Sequence, residues 1–293
     1  MNKSIFHKKC RLIAVCFVLM ALVAGCGSGD GSLAGVGTGG TGSLAKSISG
    51  TVADGYLNKA FVFMDKHGNY QWDGVEPSAT TDSNGAYTLT NVDPADIGQF
   101  PLVVIATKYV TIDMDNNPAM TPLASSYVFS MPAAAVSGSA SSNFISPMSS
   151  LVRELMETKK YGANQDATTM QNAMNALGQQ LGMPGTDMLS NYLATGNTKM
   201  HTAVQIMATL MGSQMDQIIS TSGETTTVNV DRYRAMMGTI FAGMPSMIGS
   251  NSNTTMTTLI NTMTTAMSNV PATSAGVPFK NMSAAFRGGM MGR

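Results

Sequence analysis

The stretch Thr81-Asp82-Ser83-Asn84-Gly85-Ala86-Tyr87-Thr88-Leu89 decides how the first half of this 293-residue chain folds. Asp-Ser-Asn-Gly is a tight-turn signal, because Asn and Gly accept the positive φ that such turns require. Ala86 to Leu89 then alternates small or polar side chains with large apolar ones, the pattern of a half-buried strand. Working outward, Ile48 and Val52, Phe61 and Phe63, Leu102 to Ala106 and Tyr127 to Met131 are further short runs rich in β-branched and aromatic residues. Gly, Asn, Asp and Pro separate them. Strands at this spacing, without helical patterns between them, predict an antiparallel β-sandwich over residues 46–142.

After Asn143 the apolar period changes to that of a helix. Ser146-Pro147 opens the first one, with a capping hydroxyl followed by proline at the first helical position, and Met148, Leu151, Val152, Leu155 and Met156 follow on one face. Further helices are predicted over Ala167 to Leu181, Asp187 to Ala194, Thr198 to Ser220, Asp231 to Ala242 and Thr254 to Met267. The fold class is therefore α+β: a β-sandwich followed by an all-helical, methionine-rich domain over residues 143–275, with a flexible tail over 276–293.

The N-terminus is built differently. Lys3, Lys8, Lys9 and Arg11 precede an apolar run from Leu12 to Val23, and Ala24-Gly25 close it, as in a secretory signal peptide over residues 1–25. The run is shorter than the roughly 20 residues of a membrane-spanning helix. Val23-Ala24-Gly25-Cys26 resembles the lipobox of bacterial lipoproteins, which implies that Cys26 carries acyl chains, palmitate among them. Several chains together make anchoring practically permanent. Gly27 to Ser43 is mostly Gly, Ser and Thr with few large apolar residues, so residues 26–45 read as a tether. Cys10 and Cys16 leave with the signal, so the mature chain has no disulfide and no free thiol. Removing four basic residues and no acidic one from 17 of each leaves a net charge of −4, which offers no basic patch for nucleic acid. Gly35-Val36-Gly37-Thr38-Gly39-Gly40 matches the dinucleotide-binding glycine pattern and Ser43-Leu44-Ala45-Lys46 the SxxK pattern. Neither has the strand, helix or partner motifs that its chemistry requires.

Three segments together carry a family resemblance: Ser49-Gly50-Thr51-Val52-Ala53-Asp54-Gly55-Tyr56, Ala60-Phe61-Val62-Phe63-Met64-Asp65, and the Thr81 to Leu89 element. They resemble the carboxypeptidase-regulatory-like and Sdr-type B repeat modules of exported bacterial proteins. The resemblance covers about 90 residues and implies a small prealbumin-like or immunoglobulin-like sandwich with a spacer or adhesive role. Asn143 to Val152 also resembles the junction that follows β modules in multi-part bacterial surface lipoproteins.

Three residue types bear on chemistry. Of 26 methionines, 20 lie from Met148 onward; Val204, Met207, Met211, Met215 and Ile218 form one helical stripe, and Met256, Leu259, Met263 and Met267 another. Such stripes fill a core, offer a re-packable binding surface or coordinate Cu(I) through soft sulfur. After the signal only His67 and His201 remain, which argues against a histidine-based triad or zinc site. Acidic residues are concentrated between Asp54 and Asp115. Counting Asp65 as position 1 of a twelve-residue EF-type calcium loop puts His67, Asn69, Gln71, Asp73 and Glu76 at positions 3, 5, 7, 9 and 12. Sdr-type repeats carry a similar acidic loop before the same strand. The expected Ca²⁺ ligands are Asp65, Asn69, Gln71, Asp73 and Glu76, with Asp82 nearby as a further one. His67 departs from the usual Asp or Asn, and Tyr70 stands where an EF-hand has Gly; the plain alternative is a solvated hairpin loop. Asp113-Met114-Asp115-Asn116-Asn117 reads either as an Asx-rich turn or as a second cation site.

The function expected from these features is non-enzymatic: a lipid-anchored envelope component, on the outer membrane of a bacterium, that binds another envelope protein or a polymer. The alternative is copper handling by the methionine-rich helices. An enzyme would need a catalytic residue set, and the chain suggests none.

Overall fold

The computed structural model describes residues 46–115, 117–138, 143–222, 225–250 and 253–271. The expected signal peptide, Cys26, the tether and the tail over 276–293 lie outside the described residues. Those described form an α+β structure. Its strands are β1 (Lys46–Val52), β2 (Leu57–Asn58), β3 (Phe61–Met64), β4 (Ser78–Thr80), β5 (Ala86–Val92), β6 (Leu102–Ala106), β7 (Ile112–Asp113), β8 (Tyr127–Met131) and β9 (Phe144–Ile145), and a hairpin of β10 (Ile219–Ser222) and β11 (Thr225–Val228) follows later in the chain. Its helices are α1 (Pro147–Glu157), α2 (Ala167–Gln180), α3 (Thr198–Gly212), α4 (Val230–Ser250) and α5 (Asn253–Ser268).

One sheet has the order β5-β1-β9, the other β4-β3-β6-β8. The Asp82 turn forms as the sequence suggests: Asp82 Oδ1 accepts from the amides of Asn84 (2.8 Å) and Ala86 (2.9 Å), and Gly85 has φ +69°. It does not close a hairpin between paired strands, however. β4 pairs with β3 and β5 pairs with β1, so the turn carries the chain from one sheet to the other. β5 alternates exposed and buried residues, whereas all five residues of β6 are buried, as expected for an inner strand covered on both faces.

Elements on either side of the expected division at residue 142 pack together. β9 adds to β1 in parallel, with Thr51 opposite Phe144 and Val52 opposite Ile145. α1 starts as read from sequence, with Ser146 and Ser149 forming a reciprocal capping box and Pro147 following the cap. Yet all eleven of its residues are buried, the polar ones included, so it is a central helix and not an amphipathic cover. Leu151, Val152 and Met156 join Val62, Phe129 and Met131 in one hydrophobic core, and the strands and helices form one compact unit. A helix buried on every side needs cover on every side, and the β-strands supply part of it.

Three helical expectations also change. Residues 187–194 are turns rather than helix, held by the Tyr192 hydroxyl donating to the carbonyls of Ala53 (3.1 Å) and Asp54 (2.9 Å). The helix expected to reach Ser220 ends at Gly212, because the β-branched run Thr225–Val228 pairs back on Ile219–Ser222. α4 extends to Ser250, beyond the expected Ala242. The methionine stripes face inward: Met207, Met211, Met215, Met263 and Met267 are fully buried. Met256, at the start of the second stripe, is half-buried.

Candidate metal centre and the buried ion network

The loop from Asp65 to Glu76 leaves the end of β3 and returns at β4. Asp65 Oδ1 accepts from the amide of Asn69 (3.0 Å) and Oδ2 from that of Tyr70 (3.1 Å), which tightens the first half of the loop. Tyr70 adopts the left-handed conformation, φ +58°, at the position where an EF-hand places Gly. What holds a bulky residue there is its side chain. The ring is fully buried, with the guanidinium of Arg153 4.1 Å from its centroid, the ring of Tyr233 5.2 Å away, and its hydroxyl donating to Glu154.

The expected calcium ligands are only partly brought together. Asp65 turns inward and lies 3.4 Å from Arg153 Nη2, both groups out of solvent. Asn69 Oδ1 accepts from the amide of Gln71, and Gln71 is half-buried without a place in the ion pairs. Asp82 lies past the far end of the β3–β4 pair: Asp65 and Glu76 flank the end where Met64 meets Pro77, whereas Lys59 and Thr81 bond at the other. Asp73 and Glu76 do converge, and the third member is His67, counted as a departure from the calcium pattern. His67 Nδ1 is 3.0 Å from Asp73 Oδ2 and 3.4 Å from Glu76 Oε1. Glu76 is fixed by the amide of Lys66 donating to Oε1 (2.7 Å) and that of Asp73 donating to Oε2 (3.4 Å). Burial raises its carboxyl above the usual range, and the charges of Asp73 and Asp65 add to this.

Beneath the loop lies a buried network. Arg153 Nε pairs with Glu157 Oε1 at 3.0 Å, Arg234 Nη2 with Glu157 Oε2 at 2.9 Å, and Arg234 Nε lies 3.7 Å from Glu154 Oε2. Burial first, then the charge of Glu157, pushes Glu154 up to about 7. Two guanidinium groups thus face three carboxyls, and protonation of Glu154 brings the charge into balance. Sequence periodicity missed this network: it named the apolar positions of the helix and gave no part to Arg153, Glu154 and Glu157.

A second acidic group gathers at β2 and β7. Asp54 and Asp113 bring their carboxyls near one another, and burial, followed by the charge of Asp113, pushes Asp54 up to about 8. Asp115 Oδ2 is 3.1 Å from His201 Nε2 and accepts from Gln205 Nε2 at 3.1 Å, while the His201 ring stacks on Tyr192. Gly55 is required here, since a Cβ would fall 2.2 Å from Asp113 Oδ1. The Asx-turn reading of this segment holds in part: Asp113 Oδ1 accepts from the amide of Asp115. The contribution of Asp54 and His201 is visible only in three dimensions.

No protein-family model, curated protein or solved structure matches this chain. Among the described residues no helix is long and apolar enough to cross a membrane.

Proposed function

We propose that the protein is an envelope lipoprotein, held on a bacterial membrane by acyl chains on Cys26, that presents a rigid body to another envelope protein or a polymer and catalyses no reaction of its own. The observation that carries this reading is the order of segments along the chain. The lipobox at Cys26 comes first, the Gly-, Ser- and Thr-rich stretch Gly27 to Ser43 follows, and the first described strand, β1, starts at Lys46. Lipid, spacer and body therefore follow one another in the order of a tethered binding protein. In this reading the three-stranded and four-stranded sheets are the two leaves of the sandwich that the Sdr-type resemblance implies, with the helices built onto it.

Rigidity suits such a role, because a preorganised surface loses less entropy on binding. The network linking the Asp65 loop to α1 and α4 supplies it. Exposed apolar side chains at two loops, Val75 (86 % exposed) beside Trp72, and Tyr109 (74 %) beside Val110, are the surfaces we assign to contact.

The test is metabolic labelling with an alkyne analogue of palmitate, followed by membrane fractionation at high salt, for wild type and Cys26→Ala. Label on the wild type alone, with release of the variant into the soluble fraction, is the expected result. An unlabelled wild type would remove the anchor from the proposal. Cross-linking through a photoreactive residue at Val75 or Tyr109 then tests the contact surfaces.

A further inference from the structure

Among the described residues, one group of histidine and carboxylate side chains has its ligand atoms all within 4.8 Å of one another: His67, Asp73 and Glu76. We propose that these three residues bind a single divalent transition-metal ion of the zinc type, in place of the calcium that the spacing of the loop suggests. The proposal does not depend on how the chain is anchored.

The geometry supports it first. Ligands about 2.0–2.2 Å from a tetrahedral ion are separated by roughly 3.3–3.5 Å. His67 Nδ1 already stands 3.0 and 3.4 Å from one oxygen of each carboxylate, so two of the three separations are close to the tetrahedral value, and all three ligand atoms lie within 4.8 Å of one another. Glu76 is held in place by two backbone amides, and the Trp72 indole N–H donates to its carbonyl at 3.0 Å. Trp72 is in turn packed edge-on against Phe61 at 5.3 Å. Each carboxylate oxygen has a second lone pair, so the amide bonds leave room for a metal.

The donor set decides which ion. Calcium takes six to eight oxygens, and the structure has diverted the others: Asp65 to Arg153, Asn69 to the amide of Gln71, Asp82 to its own turn. One imidazole nitrogen and two carboxylate oxygens are the ligands of a borderline ion such as Zn²⁺. Within the cluster, the Glu76 side chain is only 1 % exposed, Asp73 and Asp65 nearby are acids, and it pairs with no Lys or Arg side chain among the described residues. A buried carboxylate without a cationic partner is expensive. A bound dication removes that cost. With three protein ligands, at least one coordination position remains for water or for a group from a binding partner. His67, 52 % exposed, places it at the surface.

The experiment uses the full chain in detergent, stripped with EDTA and returned to metal-free buffer, and titrated calorimetrically with Zn²⁺ alone and with Ca²⁺ alone. Co²⁺ provides a second readout through its visible d–d absorption. Wild type should bind one Zn²⁺ and give tetrahedral-type Co²⁺ bands. His67→Ala and Asp73→Asn, both at exposed positions, should weaken Zn²⁺ binding roughly tenfold or more, since even second-shell changes cost about that much, while melting in EDTA stays as in wild type. His201→Ala should bind Zn²⁺ normally. Absence of Zn²⁺ binding by wild type would overturn the proposal. So would binding unaltered in both loop variants, loss of binding in His201→Ala alone, or a Ca²⁺ preference that survives His67→Ala.

Discussion

Asp65 at the end of β3 and Arg153 in the middle of α1, 88 residues apart in sequence, meet with both side chains buried and 3.4 Å between Oδ2 and Nη2. The contact joins the loop of the β-sheet region to the central helix, and the same guanidinium continues to Glu157 and, through it, to Arg234. A buried pair of this kind is weak evidence for net stability, because desolvation offsets much of the attraction. Removing one partner is costly all the same, since a charge is left buried and uncompensated.

Asp65→Ala should therefore destabilise the protein by about 3–5 kcal/mol, read by urea unfolding. Asp65→Asn should lose less, because the amide oxygen can still accept from the backbone of Asn69 or Tyr70. A neutral Asp65→Ala combined with a large drop in Ca²⁺ affinity would return Asp65 to the role of calcium ligand.

Stability should fall as pH rises through neutrality. Asp54 is raised from 3.8 to about 8 and Glu154 from 4.5 to about 7, in both cases by burial first. The folded state keeps protons that the unfolded chain has released. Their contribution is complete below the unfolded values and is lost as pH climbs through about 7 and then about 8. Calorimetric melting should show this decline for wild type and a shallower one for Asp54→Asn. Identical slopes would mean that Asp54 does not hold the proton.

The methionine stripes should behave as core. Met211, fully buried, should cost roughly 2–5 kcal/mol on truncation to Ala, and Cu(I) competition with a colorimetric chelator should be the same with and without the substitution. Unchanged stability together with lost Cu(I) binding would revive the copper-handling reading.

Residues 46–142 expressed alone should not give a well-dispersed amide spectrum, whereas 46–271 should. The shorter piece lacks β9, the edge partner of β1, and exposes the residues of β8 against which α1 packs. A folded 46–142 fragment would restore the two-domain organisation.

Much of the architecture was legible in local pattern. Period-two alternation marked β1 and β5, the Asp82 to Gly85 dihedral preferences marked a turn, Ser146-Pro147 marked the start of α1, and the three-to-four spacing of methionines marked buried helix faces. These features depend on residues within a few positions of one another, where side-chain chemistry and backbone sterics act directly. Which strands the turn connects, and that Phe144-Ile145 would extend the sheet of β1, depended on distant partners.

The candidate site divides along the same line. The sequence by itself determined that residues 65–76 form a polar, ligand-rich loop, because the spacing of Asp65, Asn69, Asp73 and Glu76 and the flanking strands are local facts. Only the tertiary structure decided which of those groups face one another. Arg153 withdraws Asp65 from the loop, leaving His67 with Asp73 and Glu76, and Tyr192 and His201 close over Asp54 and Asp115. The physical reason is that a charge taken out of water must find its counter-charge in the folded interior. Where that counter-charge lies is set by how β3, α1 and α4 pack, and no periodicity within the loop records it.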